Sequence, residues 1–445
     1  MWRVLKHALA SLALCACALS QTARAQSEVK SKPDGDGAAT VKSVDAKALY
    51  EDASTYAQRH FEEFEKKGVP FDKALEAKTL QEQKDLALRA AAQLAAREPL
   101  RGADLYYAGM LYALASKGER SLELLKRFLE DASATAELKQ RARVKLVEQD
   151  AQLALTDDAE KALAAYTQSE PRVPADLNRM RVQLMNAYLK KSDFARAAPH
   201  AREVYAAALK SAYAEKSVSL KRADSIYTAG SLLANTLLLS KQNAEALRVI
   251  QDMRARAIAM PSAGLYGRAT ELFLNNGGDF SLPPEVEGVA AGAPPEIKVS
   301  EWIEQPPVSL ASLKGKVVLL DFWATWCTPC RHTIPKINAL HRRYKERGLV
   351  VLGLTEFEGT AEGRDVTRAE ETEYLRSFRR KNGIGYGFAV EDGQETALSY
   401  GVRSIPTAVL IDRRGRVRYL TVSANDSEAD VLASMVKKLL DEPAQ

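Results

Sequence analysis

Cysteine is scarce in this chain: four residues in 445 cannot form the disulfide scaffold that replaces a core in small secreted domains. Charge of one sign is missing as well. The 63 Lys+Arg and 58 Asp+Glu leave a net charge of only +5, which removes the electrostatic reason to expect a nucleic-acid partner. With 46% hydrophobic and 27% charged residues the composition is that of a globular chain, so wholesale disorder, a collagen-like repeat and a multi-span membrane protein are excluded. The length allows about two to four domains. What the chain does have is two close cysteine pairs, Cys15 with Cys17 and Cys327 with Cys330.

The first pair sits in a segment read as an export signal. Arg3 and Lys6 precede an apolar run, ALASLALCACALS, and then Ala23-Arg24-Ala25 before Gln26. That order is a secretory signal peptide over 1–25 with an A-x-A cleavage site. The run of about thirteen residues is short of the roughly 18 to 20 that cross a bilayer. A competing reading makes Leu14-Cys15-Ala16-Cys17 a lipoprotein cleavage box with Cys17 as the lipidated anchor. Both readings place the protein in the periplasm or another extracytoplasmic compartment of a bacterium. Cleavage would remove three cations and no acid, leaving the charge closer still to neutral.

Residues 26–44 are polar with Pro33, Gly35 and Gly37, a flexible lead-in. From 45 to 275 the composition turns to Ala, Leu, Lys, Arg, Glu and Gln, the strong helix formers. Apolar residues recur at three- and four-residue spacing, as in Leu177, Met180, Leu184 and Tyr188, so each helix has one face to bury. Polar turns at Lys117, Thr156, Lys191 and Ser240 are each followed by a small residue, Ser121, Ala162, Ala197 and Ala246, where a second helix could approach closely. The pattern resembles tetratricopeptide hairpins, although the spacing varies from 35 to 49 where that repeat has about 34. An irregular α-helical domain is the alternative, and a repeat array would imply a surface for docking a protein partner. Two Pro-Pro pairs and several glycines mark 276–296 as a linker.

From 297 to 445 strands and helices alternate. KVVLLDFWA at Lys316 reads as a strand, WCTPC opens a helix, and LVVLGLT at Leu349 is a second strand. A charged helix near 370–382, a strand at Gly387, a short helix at 395–400, the hairpin IPTAVLID/RGRVRYL and a last helix near 428–440 complete an α/β sandwich. The expected fold class is therefore multidomain, all-α helical hairpins followed by an α/β domain.

Cys327 and Cys330 are one helical turn apart at a strand-to-helix junction. Free backbone N–H groups and the helix dipole at such a position favour a thiolate. Cys327 is thus the expected nucleophile, and Cys330, one turn in, the resolving thiol. A zinc site lacks a second cysteine pair, with only His332 and His341 near. Covalent haem would need His where Arg331 stands. A structural disulfide would close too small a loop to stabilise much. No cofactor or metal is called for, and the glycines of GIGYG at Gly383 neither follow a strand nor open a helix, so no phosphate site is inferred. Val317, Leu319, Asp321 and Trp323 share one strand face, which places the Asp321 carboxylate among apolar neighbours unless it is an exposed strand-end residue.

The segment VSLASLKGKVVLLDFWATWCTPCRHTIP, with SIPTAVLID some way downstream, resembles the thioredoxin fold, and more narrowly the TlpA/ResA-type thiol:disulfide oxidoreductases of the redoxin group. The resemblance covers about a third of the chain. It implies a redox-active Cys327–Cys330 disulfide, a cis-proline at Pro406, and an Ile405 backbone that pairs with an extended substrate segment, although Pro406 could simply begin a strand. Trp326, Pro329 and Ile405 are the implied substrate contacts. Thr355 to Ala369 resembles the insertion that separates this group from plain thioredoxin. Asp321 matches the buried aspartate that relays a proton to the resolving cysteine, whereas nearer relatives carry an amide there, and Thr333 stands where many carry a glutamate. Pro335 belongs to the kinked active-site helix, Trp323 and Trp326 would shield the disulfide or pack in the core, and His332 would tune the thiolate or simply be solvated. The implied partners are protein thiols and disulfides and an upstream reductant.

Overall fold

The computed structural model describes residues 45–97, 99–214, 220–279 and 292–443. The expected signal segment with Cys15 and Cys17, the lead-in, and most of the 276–296 linker lie outside these. Among the described residues no helix is long and apolar enough to cross a membrane.

The chain divides into two compact units, the first ending at Asp193 and the second beginning at Phe194. The first holds helices α1 (Ala46–Lys66), α2 (Lys73–Ala95), α3 (Ala103–Leu114), α4 (Gly118–Glu130), α5 (Ala136–Gln152), α6 (Thr156–Thr167) and α7 (Pro174–Lys190). The second continues with α8 (Phe194–Ala214), α9 (Leu220–Leu239), α10 (Asn243–Ala259) and α11 (Ala263–Asn275) before the sheet begins. The division between these compact units falls inside the helical region.

Four of the helix–helix turns share one backbone motif. Ser116, Ala154, Ser192 and Lys241 all have positive φ, between 57° and 61°, and each lies two residues before the helix that follows. The next N–H in each turn reaches back five residues: Lys117 to Tyr112, Leu155 to Asp150, Asp193 to Tyr188 and Gln242 to Leu237, at 2.8 to 2.9 Å. This is the Schellman closure of a helix C-terminus. Three of the four small residues after the turns, Ser121, Ala197 and Ala246, are fully buried, whereas Ala162 is only half-buried.

The sheet of the second unit has six strands in the order β1-β6-β3-β2-β7-β8: β1 (Glu301–Ile303), β2 (Val317–Phe322), β3 (Leu349–Glu356), β6 (Gly387–Glu391), β7 (Thr407–Ile411) and β8 (Val417–Thr421). A two-stranded hairpin, β4 (Thr360–Ala361) and β5 (Arg364–Asp365), occupies the expected insertion. Helices α12 (Thr328–Tyr344), α13 (Arg368–Lys381), α14 (Glu395–Ser399) and α15 (Asp426–Asp441) complete the unit. All six residues of β2 are buried, as a central strand covered on both faces requires. Its neighbours are β3, parallel, and β7, antiparallel.

Strand β8 is an edge, and α10 and α11 pack on it. The Tyr266 and Tyr419 rings meet edge to face at 6.1 Å. A Cβ on Gly267 would stand 2.7 Å from Val422 Cγ2, so only glycine lets α11 approach here. The fully buried Arg254 of α10 donates to Thr270 Oγ1 at 3.0 Å and to the Tyr266 hydroxyl at 3.2 Å.

A left-handed backbone at a residue with a Cβ costs on the order of 1 kcal/mol that glycine avoids. Ala154 is exposed and has no packing to lose, so Ala154→Gly should stabilise the protein by about 1 kcal/mol, read as a higher denaturant midpoint for the full chain. An unchanged or lower midpoint would show that the turn is not strained.

Candidate active site

Strand β2 ends at Phe322, and five residues later Cys327 caps the N-terminus of α12. Cys327 and Cys330 form a disulfide with the sulfurs 1.97 Å apart. The Cys330 N–H donates to Cys327 Sγ at 3.2 Å, and the Arg331 N–H to Cys327 O at 3.3 Å. Both cysteines are buried. Pro329 occupies the first turn of α12, where a missing N–H costs nothing, and Pro335 lies inside the helix. The Ile405–Pro406 peptide bond is cis, immediately before β7.

Asp321 is 1% exposed, which removes the strand-end alternative. Its Oδ2 accepts a hydrogen bond from the Tyr386 hydroxyl at 3.2 Å, and its Oδ1 has no partner among the described residues. Burial pushes its pKa up to about 7, with the tyrosine bond pulling weakly the other way. Tyr386 in turn is held well above its ordinary range by burial and by that carboxylate.

Tyr386 reaches Asp321 because β3 carries a glycine between them. Asp321 pairs with Gly353, and Gly353 with Phe388 two residues beyond the tyrosine. A Cβ at Gly353 would stand 2.8 Å from Phe388, 2.9 Å from Trp323 Nε1 and 3.3 Å from Tyr386. Sequence reasoning passed over Tyr386, since only the register of three strands brings it to the carboxylate. The glycine inside the apolar run LVVLGLT was the one available signal, because such a residue marks close approach.

A cavity of about 30 Å³ lies beside Asp321, bordered by Thr333, Ile337, Pro406 and Thr421. That is room for one water molecule. Thr333 donates to Cys330 O at 3.0 Å, so the position expected to lack an acid ties the helix turn instead. Lys336 also borders the cavity and pairs with Asp426 at the start of α15.

The two tryptophans part company. Trp323 is buried and stacks on Phe378 at 5.2 Å, so it belongs to the core. Trp326 is 61% exposed and donates from Nε1 to Glu358 Oε1 at 2.8 Å. Glu358 lies in the insertion, whose turn is held by Glu371 accepting from the N–H groups of Glu358 and Gly359. His332 is exposed and lies 3.2 Å from Asp426 Oδ1. His341 is half-buried, stands edge-on to Tyr386 at 6.0 Å, and is held below its ordinary pKa by burial and by Lys345 and Arg379. Among the described residues no group of three or more His, Cys, Asp or Glu could hold a metal.

Comparison with known proteins places this site in a family context. Residues 292–420 match the AhpC/TSA family. The thiol-disulfide oxidoreductase ResA of Bacillus thuringiensis is 35% identical over 116 residues, 26% of this chain and 60% of ResA. The chain thus spans about three-fifths of the length of that relative. Protein DipZ of Mycobacterium bovis is 32% identical over 157 residues, 34% of this chain and 21% of DipZ. A crystal structure of a putative thiol:disulfide interchange protein DsbE from Chlorobium tepidum is 27% identical, with 34% of this chain and 96% of that one covered and a TM-score of 0.29. An all-helical region thus precedes a mixed-sheet domain with the cysteine pair at a helix N-terminus, whose residues 292–420 match the AhpC/TSA family and which is similar in sequence to part of the thiol-disulfide oxidoreductase ResA and of DipZ.

Proposed function

We propose that the protein reduces disulfides of other proteins in the cell envelope, using Cys327 and Cys330 as the exchanging pair. The observation that carries this reading is the Cys330 N–H aimed at Cys327 Sγ on a helix N-terminus. Once the disulfide is reduced, that donor and the helix dipole stabilise a Cys327 thiolate in preference to a Cys330 thiolate. The cis peptide at Pro406 beside β7 and the buried carboxylate of Asp321 support the same reading.

The steps balance as follows. The Cys327 thiolate attacks one sulfur of a substrate disulfide, forming a mixed disulfide and releasing the other substrate sulfur as a thiolate. The Cys330 thiol passes its proton towards Asp321 and attacks Cys327 Sγ. The Cys327–Cys330 disulfide forms, and the second substrate sulfur is expelled as a thiolate that takes the proton back from Asp321 and leaves as a thiol. Substrate gains two electrons, the protein loses two, and an upstream dithiol returns them. Trp326, Pro329 and Ile405 would contact the substrate at the site's surface. Export rests on the segment 1–25, by cleavage or through a lipid on Cys17.

The reducing direction rests on Thr328-Pro329, since the histidine that stabilises the reduced form of strong oxidants is not between these cysteines. A measured reduction potential near about −120 mV, that of a strong oxidase, would reverse the assignment to an oxidase or isomerase. A docking role for the helical region, with the redox domain secondary, predicts the opposite mutational pattern: loss of function on deleting 45–275 with Cys327→Ser harmless.

Cys330→Ser should accumulate mixed disulfides with substrate proteins, separable on non-reducing gels, and Cys327→Ser should form none. Trapping by both variants alike would remove the assignment of Cys327 as nucleophile. Resolution of the mixed disulfide should speed up as pH rises through about 7 and then level off, because Asp321 accepts a proton only when ionised. Asp321→Asn should lose that limb and slow the step by about 10²-fold or more.

The same carboxylate makes stability depend on pH. Its native pKa is raised above the unfolded value, so the native state holds the proton more tightly. Its stabilising contribution is complete below about pH 4 and is lost as pH rises through about 7. Asp321→Asn should therefore match the wild type near pH 4 and exceed it at pH 8.5 by on the order of 4 kcal/mol. Denaturant titration at the two pH values checks this, and equal stability at pH 8.5 would mean the carboxylate is not desolvated.

A further inference from the structure

A larger hollow adjoins the active site. A groove of about 410 Å³ runs between α11 and the loop that carries Pro406, with Glu271 and Leu274 on one wall and Arg403, Ser404 and Thr407 on the other. Thr407 and Ser423 line both this groove and the small cavity of Asp321 and Pro406, so the two are neighbours.

The far wall is fastened in place. The N–H groups of Ala263 and Gly264 at the start of α11 donate to Tyr400 O at 2.9 Å and Gly401 O at 2.8 Å. Asp224 of α9 takes Arg403 and Arg268 together, each at 2.8 Å. A Cβ on Gly264 would stand 3.0 Å from Gly401 O and from Arg403, so glycine permits the contact. The loop leading to the cis-proline is therefore held by helices that lie outside the thioredoxin-like sheet.

The open side of the groove has distinct chemistry. Ile405 is not itself a lining residue but lies between the lining residues Ser404 and Thr407; among the described residues nothing bonds its backbone, which leaves an N–H and a C=O beside the groove for an added strand. Leu274 is 43% exposed. Glu271 is exposed and has no partner among the described residues, whereas both arginines are already engaged by Asp224. A small anionic thiol would find its cations occupied, and an extended polypeptide would find backbone groups, an apolar side chain and one free carboxylate.

We propose that this groove receives the polypeptide strand flanking the cysteine that Cys327 attacks, with α11 as its second wall and Glu271 favouring a basic side chain in that strand. The inference rests on the oxidoreductase reading above and adds to it a specificity element from the helical region.

The test compares two disulfide-bonded peptides, one with lysines and one with glutamates on both sides of the cysteine, against the full-length reduced protein. An exposed ion pair contributes little, so kcat/KM for the lysine peptide should exceed that for the glutamate peptide by about two- to five-fold, through KM. Glu271→Gln should abolish the preference and Glu271→Lys should reverse it, with the Cys327–Cys330 reduction potential unchanged in both. Exchange by the wild type with the same preference in Glu271→Lys would overturn the groove assignment alone. No exchange with either peptide by the wild type would overturn the oxidoreductase reading and the groove with it.

Discussion

The structure of the site depends on one constraint: a carboxylate near the end of a central strand that is buried on both faces. Strand β2 lies between β3 and β7 and carries Asp321 one residue before its end. Taking that group out of water favours its neutral form, which is why its pKa moves to about 7. An ionisable group so placed destabilises the fold whenever it is charged. The cysteine pair, the cis-proline and the one-water cavity are arranged around the end of the same strand.

Neighbouring residues are explained by that carboxylate. Gly353 has no side chain, so the Tyr386 ring crosses the parallel strand and donates to Asp321 Oδ2. Trp323 takes the remaining space and stacks on Phe378, which separates it from Trp326 at the surface. Thr333 meets the Cys330 carbonyl and leaves Asp321 as the one acid among the described residues that border the small cavity. A second acid in so small a space would couple to the first and push both pKa values apart.

The helical region is two things. Its turns repeat one hydrogen-bonded closure at four places, with Ser, Ala, Ser and Lys at the left-handed position where glycine is common. That regularity lies in backbone geometry and is invisible to a search for residue identity at a fixed period. Yet helices from Phe194 onward pack in the unit that holds the sheet. They cover the β8 edge and grip the loop before Pro406, which gives them a structural bearing on the redox site beyond that of a separate module.

Much of the site was legible locally. Two cysteines three apart after an apolar strand determine a pair at a helix N-terminus, because strand, turn and helix are set by short-range pattern and one helical turn brings the sulfurs together. An aspartate in register with valine and leucine on one strand face determines a desolvated acid for the same reason. Tyr386, Glu358 and the groove beside α11 were not legible. They are contacts between residues 30 or more positions apart, settled by strand register, by the absence of a side chain at Gly353 and by the close approach of α11 at Gly264 and Gly267. The sequence by itself determined where the cysteine pair and the buried acid lie. Tertiary packing alone decided what surrounds them, since burial and shape complementarity depend on segments that no local pattern relates.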